Sequence, residues 1–302
     1  MNILLTGGTG FIGAHLVPEL TSRDHELFIL TRSQARAGKE KHNHITYLHW
    51  TGKADDLGWS MKAEGVNAVI NLAGENVGSG LWTKAKKKRI EESRLGAGKA
   101  LVQAISGWKT KPEQFIQCSA TGYYGDRTEV VDEGATQGKG FLANLSKKWE
   151  ASTAALEAAG VQRAVIRIGV VLGREGGVMR RLLLPFRLGL GGPVGSGRQG
   201  FPWVHIDDVI QSIVFLLEHA ESGVFNLTAP QILTMREFTK NLADVLHRPH
   251  IVPVPAGLLK LVLGEMADEM LLSGARVFPR HLLDSGYNFR YNKINLALKD
   301  LI

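Results

Sequence analysis

The chain has 302 residues, 44% hydrophobic and 22% charged, with a formal net charge of +7. That length holds one large domain or two intertwined ones around a sizeable core, and the composition is ordinary for a soluble globular protein. No apolar run approaches the roughly 18 residues that would span a bilayer, and the basic balance can mean nucleic acid, a membrane surface or an anionic small ligand.

The opening MNILLTGG turns glycine-rich too early for a signal peptide. NILLTGG (2–8) reads as a strand running into a turn, and LLTGGTGFIGAHL sets Gly7, Gly10 and Gly13 in a G-x-x-G-x-x-G spacing between strand and helix. The first glycine permits the tight turn, the second lets the backbone approach a pyrophosphate, and the third lets helix and strand pack closely. Free N–H groups and the positive end of the helix dipole then suit phosphates. A glycine pattern recurs by chance in a chain with 35 glycines; its place after a strand and before a helix gives it weight. Thr9, Phe11 and Ile12 belong to the same candidate loop, and Pro18 is expected to bend the helix that follows.

ELFILTR (26–32) ends on Thr31 and Arg32, about 20 residues beyond the glycines, where a reader of NAD carries an acid for the ribose 2′-hydroxyl. An arginine accommodates a 2′-phosphate instead, so the expected cofactor is NADP(H). The plain alternative is an exposed strand-end arginine. ITYLHW (45–50), AVINLAG (68–74), QFIQCSA (114–120) and AVIRIGVV (164–171) are near-continuous apolar runs, as in strands buried on both faces of a parallel sheet. Amphipathic stretches at 83–106 and 144–159 alternate with them, which argues for a doubly wound α/β sheet. Within the first, KAKKKR (84–89) reads as a solvated helix face or as an approach for a phosphorylated ligand. Cys118 is the only cysteine, which excludes an intrachain disulfide and fits a reducing, cytoplasmic compartment.

Beyond residue 172 the texture changes. Residues 173–203 are rich in Gly, Arg and Pro and read as loops around one helix; DDVIQSIVFLLEHA (207–220) is helical and GVFNLTA (223–229) is another strand. The tail, 230–302, reads as helical segments about the turn-prone RPHIVPVPAG (248–257). The expected fold is α/β, a Rossmann-type doubly wound parallel sheet with helices on both faces. Residues 1–172 with 205–229 would form it, and 173–204 with 230–302 an interleaved, smaller substrate lobe.

TGGTGFIG, NLAG (71–74) and WVHIDDV (203–209) resemble motifs of the extended short-chain dehydrogenase/reductase superfamily. NLAGENV, SATGYYGD, WEA, LLLPFRLGLGGPVGSGRQGFPWVHIDD and the tail ARVFPRHLLDSGYNFRY resemble, over essentially the whole chain, the YfcH-like NAD(P)-dependent epimerase/dehydratase group. The resemblance implies that Thr31 and Arg32 face the adenosine phosphate and that Leu72, Ala73 and Gly74 flank the cofactor. It places Val171 beside the nicotinamide and Arg94 where related epimerases have an asparagine aimed at the cofactor; a surface helix arginine is the plain alternative. Trp203 and His205 would line the substrate side, His205 more as a structural residue than as an acid or base.

The superfamily moves its proton with a serine or threonine, a tyrosine and a lysine that tunes the tyrosine. In GFLANLSKKWEASTAALEAAG (140–160), Glu150 matches the glutamate four residues after that lysine, which puts Ser146 and Leu142 where lysine and tyrosine should stand. The remaining catalytic candidates are Ser119 and Tyr123, with Tyr124 on the substrate side; aromatic packing in the pocket wall is the competing reading for both tyrosines. No zinc-finger spacing or aromatic-basic RNA motif is present, so neither nucleic acid nor a metal is expected, and no membrane partner. The expected partner is a small substrate, nucleotide-sugar or otherwise anionic, with a homodimer left open. The sequence supports an oxidoreductase or epimerase and, from the missing pair, a non-catalytic NADP(H) sensor or scaffold.

Overall fold

The computed structural model describes residues 1–38 and 43–302. Its first half runs β1 (Asn2–Thr6), α1 (Phe11–Ser22), β2 (Glu26–Thr31), α2 (Gln34–Ala37), β3 (Ile45–His49), β4 (Ala68–Asn71), α3 (Lys84–Gly107) and β5 (Gln114–Ala120). Then come β6 (Val130–Val131), α4 (Phe141–Ala151), α5 (Ala155–Ala158), β7 (Gln162–Ile168), β8 (Val170–Gly173), β9 (Gly176–Gly177), α6 (Met179–Arg187) and β10 (Trp203–His205). The chain closes with α7 (Ile206–Glu218), β11 (Gly223–Leu227), α8 (Met235–Val245), α9 (Ala256–Leu263), α10 (Glu265–Met270), β12 (Arg276–Val277), α11 (Arg280–Asp284) and α12 (Ile294–Leu301).

Seven strands form one parallel sheet in the order β11-β7-β5-β4-β1-β2-β3. The chain builds outward from β1 to β3, then returns to lay β4 on the other side of β1. That reversal opens a crevice at the carboxyl ends of β1 and β4, the place where open α/β sheets bind ligands. Successive side chains of a strand point to opposite faces. Ile3 and Leu5 accordingly pack with α1 and α7, while Leu4 packs with Ala97 and Leu101 of α3. Both faces are covered, which is why these strands read as continuous apolar runs. A separate cluster holds Phe186, Phe201, Trp203 and Phe238, beside a small sheet of order β10-β8-β9.

Two expected elements divide. AVIRIGVV is β7 and β8 in different sheets, because Gly169 passes so close to Pro202 that a Cβ there would meet its carbonyl oxygen. The single helix expected over 144–159 ends at Ala151, where the Ser152 hydroxyl bonds the Trp149 carbonyl at 2.7 Å, and resumes as α5. Helix α1 is one segment through Pro18.

Candidate functional site

At the crevice, Gly7 holds φ +71°, and a Cβ there would lie 2.6 Å from the Leu72 carbonyl oxygen. A Cβ at Gly13 would strike the Gly7 carbonyl, so β1, the loop and α1 close together only with glycine at both positions. The Gly10 N–H donates to Gly7 at 2.9 Å, and no side chain caps α1. Thr9 and Gly10 stand exposed at the loop tip, leaving backbone N–H groups open to an anion. The half-buried Phe11 ring packs on Gly173 and Gly176, fastening the loop to the β8–β9 hairpin, and Ile12 is half-buried beside it.

The adjoining strand ends are locked by side chains. Thr6 Oγ1 donates to Asn71 Oδ1 at 2.7 Å, Asn71 Nδ2 to Gln117 Oε1 at 3.0 Å, and the Ala73 N–H to Thr6 Oγ1 at 3.2 Å. Leu72, Ala73 and Gly74 are therefore held in place from β1 and β5. Arg94, 9% exposed on α3, packs under Gly74, whose added Cβ would be 3.1 Å from the guanidinium carbon. Its Nη1 donates to the carbonyls of Glu75 and Ile90, both at 3.0 Å, and its guanidinium lies 4.8 Å over the Trp149 ring. Burial lowers its pKa, opposed by Cys118 and Glu75. No carboxylate pairs with Arg94 among the described residues, so this buried charge lacks the counter-ion it calls for.

Beyond β2, Thr31 is buried and its hydroxyl accepts from the Ser33 N–H at 3.2 Å, while Arg32 and Arg36 are exposed. Neither arginine has an ion pair among the described residues. Val171 is half-buried on β8, with its carbonyl facing Gly177. The KAKKKR cluster is largely neutralised: Lys86 pairs with Glu75 at 2.6 Å, Lys87 with Glu265 at 2.6 Å and Lys88 with Glu92 at 3.6 Å.

The acid–base candidates fall differently from their expectation. Ser119 is 2% exposed and its hydroxyl donates to Glu150 Oε1 at 2.6 Å, beneath α4. Tyr124, expected on the substrate side, is wholly buried. Its Oη donates to Asn226 Oδ1 at 2.7 Å and accepts from Arg167 Nη1 at 3.0 Å, and burial pushes its pKa up to about 12. Tyr123 alone of the three is half-exposed. The Arg167 guanidinium stacks 3.5 Å from its ring centroid, and its hydroxyl has no partner among the described residues. Leu142 and Ser146 lie from α4 against Gly122, so an apolar side chain and a hydroxyl stand where the tyrosine and lysine are missing.

Trp203 and His205, expected to line the substrate side, are each 1% exposed. Trp203 sits in the second core with its Nε1 donating to the Gln231 carbonyl at 3.0 Å. His205 caps α7, accepting from the Asp207 N–H at 3.1 Å, and stacks on Tyr291 with 3.8 Å between ring centroids. Burial lowers its pKa, against the pull of Asp207 and Asp300. The WVHIDD segment thus joins the two cores, with Trp203 in one and Val204 and Ile206 in the other.

The family model described as "NAD dependent epimerase/dehydratase family" matches residues 3–228. The chain belongs to that family. A second model, "Domain of unknown function (DUF1731)", matches residues 254–301, so the family's sheet is followed here by a distinct C-terminal module. The chain is 37% identical over 305 residues to "Epimerase family protein YfhF" of Bacillus subtilis, covering 100% of this chain and 98% of the relative. It is 37% identical over 307 residues to the human "Epimerase family protein SDR39U1", covering 100% of both. A crystal structure of that human protein (isoform2) with NADPH superposes with a TM-score of 0.89 at 36% identity, covering 100% of this chain and 99% of that one. The Thermus thermophilus UDP-glucose 4-epimerase in complex with NAD shares the fold, with a TM-score of 0.73 at 19% identity over 100% of this chain and 98% of that one.

Two residues that shape this region escape a reading by motif. Arg167 holds Glu150 by two bonds, Nε to Oε1 at 2.8 Å and Nη2 to Oε2 at 2.9 Å. Its signal was an arginine inside the apolar strand AVIRIGVV, since a charge in such a run demands a partner. Glu269 of α10 accepts from the Phe141 and Leu142 N–H groups at 2.6 and 2.8 Å, capping α4 from the C-terminal module. Nothing local in the sequence marks it.

Proposed function

We propose that the chain is an NADP(H)-dependent enzyme that acts on a small, anionic or nucleotide-linked substrate, with Tyr123 as the group that exchanges a proton with it. One observation carries this reading: Arg32, Arg36 and Arg94, none with a carboxylate partner among the described residues, flank a glycine loop whose tip, Thr9 and Gly10, stands exposed. Arg32 and Arg36 would meet the 2′-phosphate, the loop N–H groups the pyrophosphate, and Arg94 a further anionic or ribose oxygen beside Gly74. The nicotinamide supplies the hydride chemistry when bound. The chain's own part is to hold the substrate oxygen at the Tyr123 hydroxyl, whose ring Arg167 fixes in place, and to keep water away with the Leu142 wall. The NADPH in the crystal structure of the human relative supports the choice of cofactor.

Fluorescence titration with NADPH and NADH tests the cofactor. Arg32→Asp is expected to weaken NADPH by about 100-fold, roughly 2.7 kcal/mol, with NADH little changed. Equal losses for both cofactors would overturn the phosphate assignment. For catalysis, NADPH oxidation is followed across carbonyl compounds and sugar nucleotides, and Tyr123→Phe is expected to lower turnover by about 100-fold at unchanged NADPH affinity.

A second reading, a non-catalytic NADP(H) sensor, draws on the sealed Ser119 and on Leu142. It predicts no turnover on any such panel and a partner whose binding differs between NADP⁺ and NADPH. Partner binding indifferent to cofactor state would remove it.

A further inference from the structure

Eight of the fourteen large apolar side chains that stand exposed among the described residues fall in two short segments. Leu184, Leu188 and Leu190 lie on and just after α6. Ile251, Val252, Leu258, Leu261 and Val262 lie on the approach to α9 and along it, Leu261 at 84% exposure. The segments run side by side. Val254 N–H donates to the Pro193 carbonyl and Gly195 N–H to the Val254 carbonyl, both at 3.0 Å, and Val194 and Val254 bridge as parallel neighbours. Helix α9, AGLLKLVL, buries none of its residues. Of its leucines only Leu259 and Leu263 are even half-buried, so most of its apolarity is unused within the fold, and an apolar patch of this kind marks a surface that another phase or molecule covers.

Charge identifies the cover. Residues 176–206 and 245–264 contain no aspartate or glutamate, yet carry Arg180, Arg181, Arg187, Arg198, Arg248 and Lys260. Lys260 is paired with Asp268 at 2.8 Å and Arg181 donates to the Gly78 carbonyl at 2.7 Å. The other four arginines are exposed and have no ion pair among the described residues. Exposed leucines among unpaired arginines suit one phase that is apolar inside and anionic at its surface. We propose that the α6/α9 face docks on an anionic lipid bilayer, lying in the interface with leucines at the acyl boundary and arginines at the headgroup phosphates. A second copy fits worse, because a two-fold contact would set these arginines against their own equivalents. No helix among the described residues is long and apolar enough to cross a membrane, and an interfacial face needs none.

The test is flotation of the full chain with vesicles of phosphatidylcholine alone and of phosphatidylcholine with phosphatidylglycerol. Binding is expected to the anionic vesicles, to fall on raising the salt, and to drop about tenfold for Leu261→Glu and for the pair Arg180→Glu and Arg187→Glu. NADPH affinity reports that each variant is folded, and because it reads the crevice it separates failure here from failure of the cofactor assignment. Binding to anionic vesicles no stronger than to neutral ones overturns the proposal, as does undiminished binding by both variants. So does a dimer in solution that Leu261→Glu dissociates, which would make this face an interface between copies.

Discussion

Ser119 Oγ lies 2.6 Å from Glu150 Oε1, and the same carboxylate receives two bonds from Arg167. One acid of α4 thus ties together β5 and β7, and through Arg167 it reaches both tyrosines of the loop after β5. The pair engages the serine hydroxyl as a donor, while the Tyr123 hydroxyl has no partner among the described residues.

Glu150→Gln should therefore be far more damaging than Ser119→Ala. It leaves the Arg167 charge buried without its counter-ion, at a cost of about 3–5 kcal/mol. Ser119→Ala removes one hydrogen bond to a charged group, about 1.5–3 kcal/mol. Urea unfolding of both variants measures the difference. Equal losses would mean that Arg167 finds another partner.

Glu269 and Gly140 form a second coupled pair. Gly140 holds φ +107° at the start of α4, and a Cβ there would meet the Glu269 carboxylate. Glu269→Ala removes the cap from two N–H groups and should lower stability by about 1–2 kcal/mol. Gly140→Ala should cost more in the native background than in Glu269→Ala, since the clash is then gone and only the backbone strain remains. Calorimetry of the two single variants and the double variant gives the coupling. A strictly additive result would show that the carboxylate does not sit on this turn.

His205 sets a pH dependence with a definite sign. Burial holds its folded pKa below the ordinary histidine value, so the unfolded chain takes up the proton first as the pH falls through about 6.5. Stability from this group is complete above that pH and declines below it, by at most about 1.4 kcal/mol per pH unit, until the folded imidazole protonates as well. His205→Asn keeps an N-cap acceptor and removes the titration. The difference in unfolding free energy between wild type and variant should therefore change between about pH 7.5 and 5.5. A difference independent of pH would show that His205 titrates alike in both states.

Much of the architecture was legible because its causes are local. The strand runs of β1 to β5 declare themselves by apolar side chains on both faces, and Gly7 and Gly13 by a turn completed within seven residues. Arg94 was legible as a candidate through its motif, though its burial without a carboxylate was not, since that depends on how α3 meets Gly74 and Trp149. The burial of Ser119 and Tyr124 was not legible, because residue type reveals nothing about exposure. At the end of β5 one neighbour is sealed by α4 and the other by β7 and β11.

The sequence by itself determined the strand–loop–helix unit, the glycine cradle, the arginine at the end of β2 and the loss of the tyrosine–lysine pair, all set by interactions a few residues apart. The tertiary structure decided which hydroxyl and which arginine lack a partner among the described residues, and which leucines stay exposed. Those outcomes rest on contacts between residues 31 apart in Ser119–Glu150, 43 in Arg167–Tyr124 and 128 in Glu269–Phe141. Burial and charge pairing belong to the packed molecule, and no local pattern encodes them.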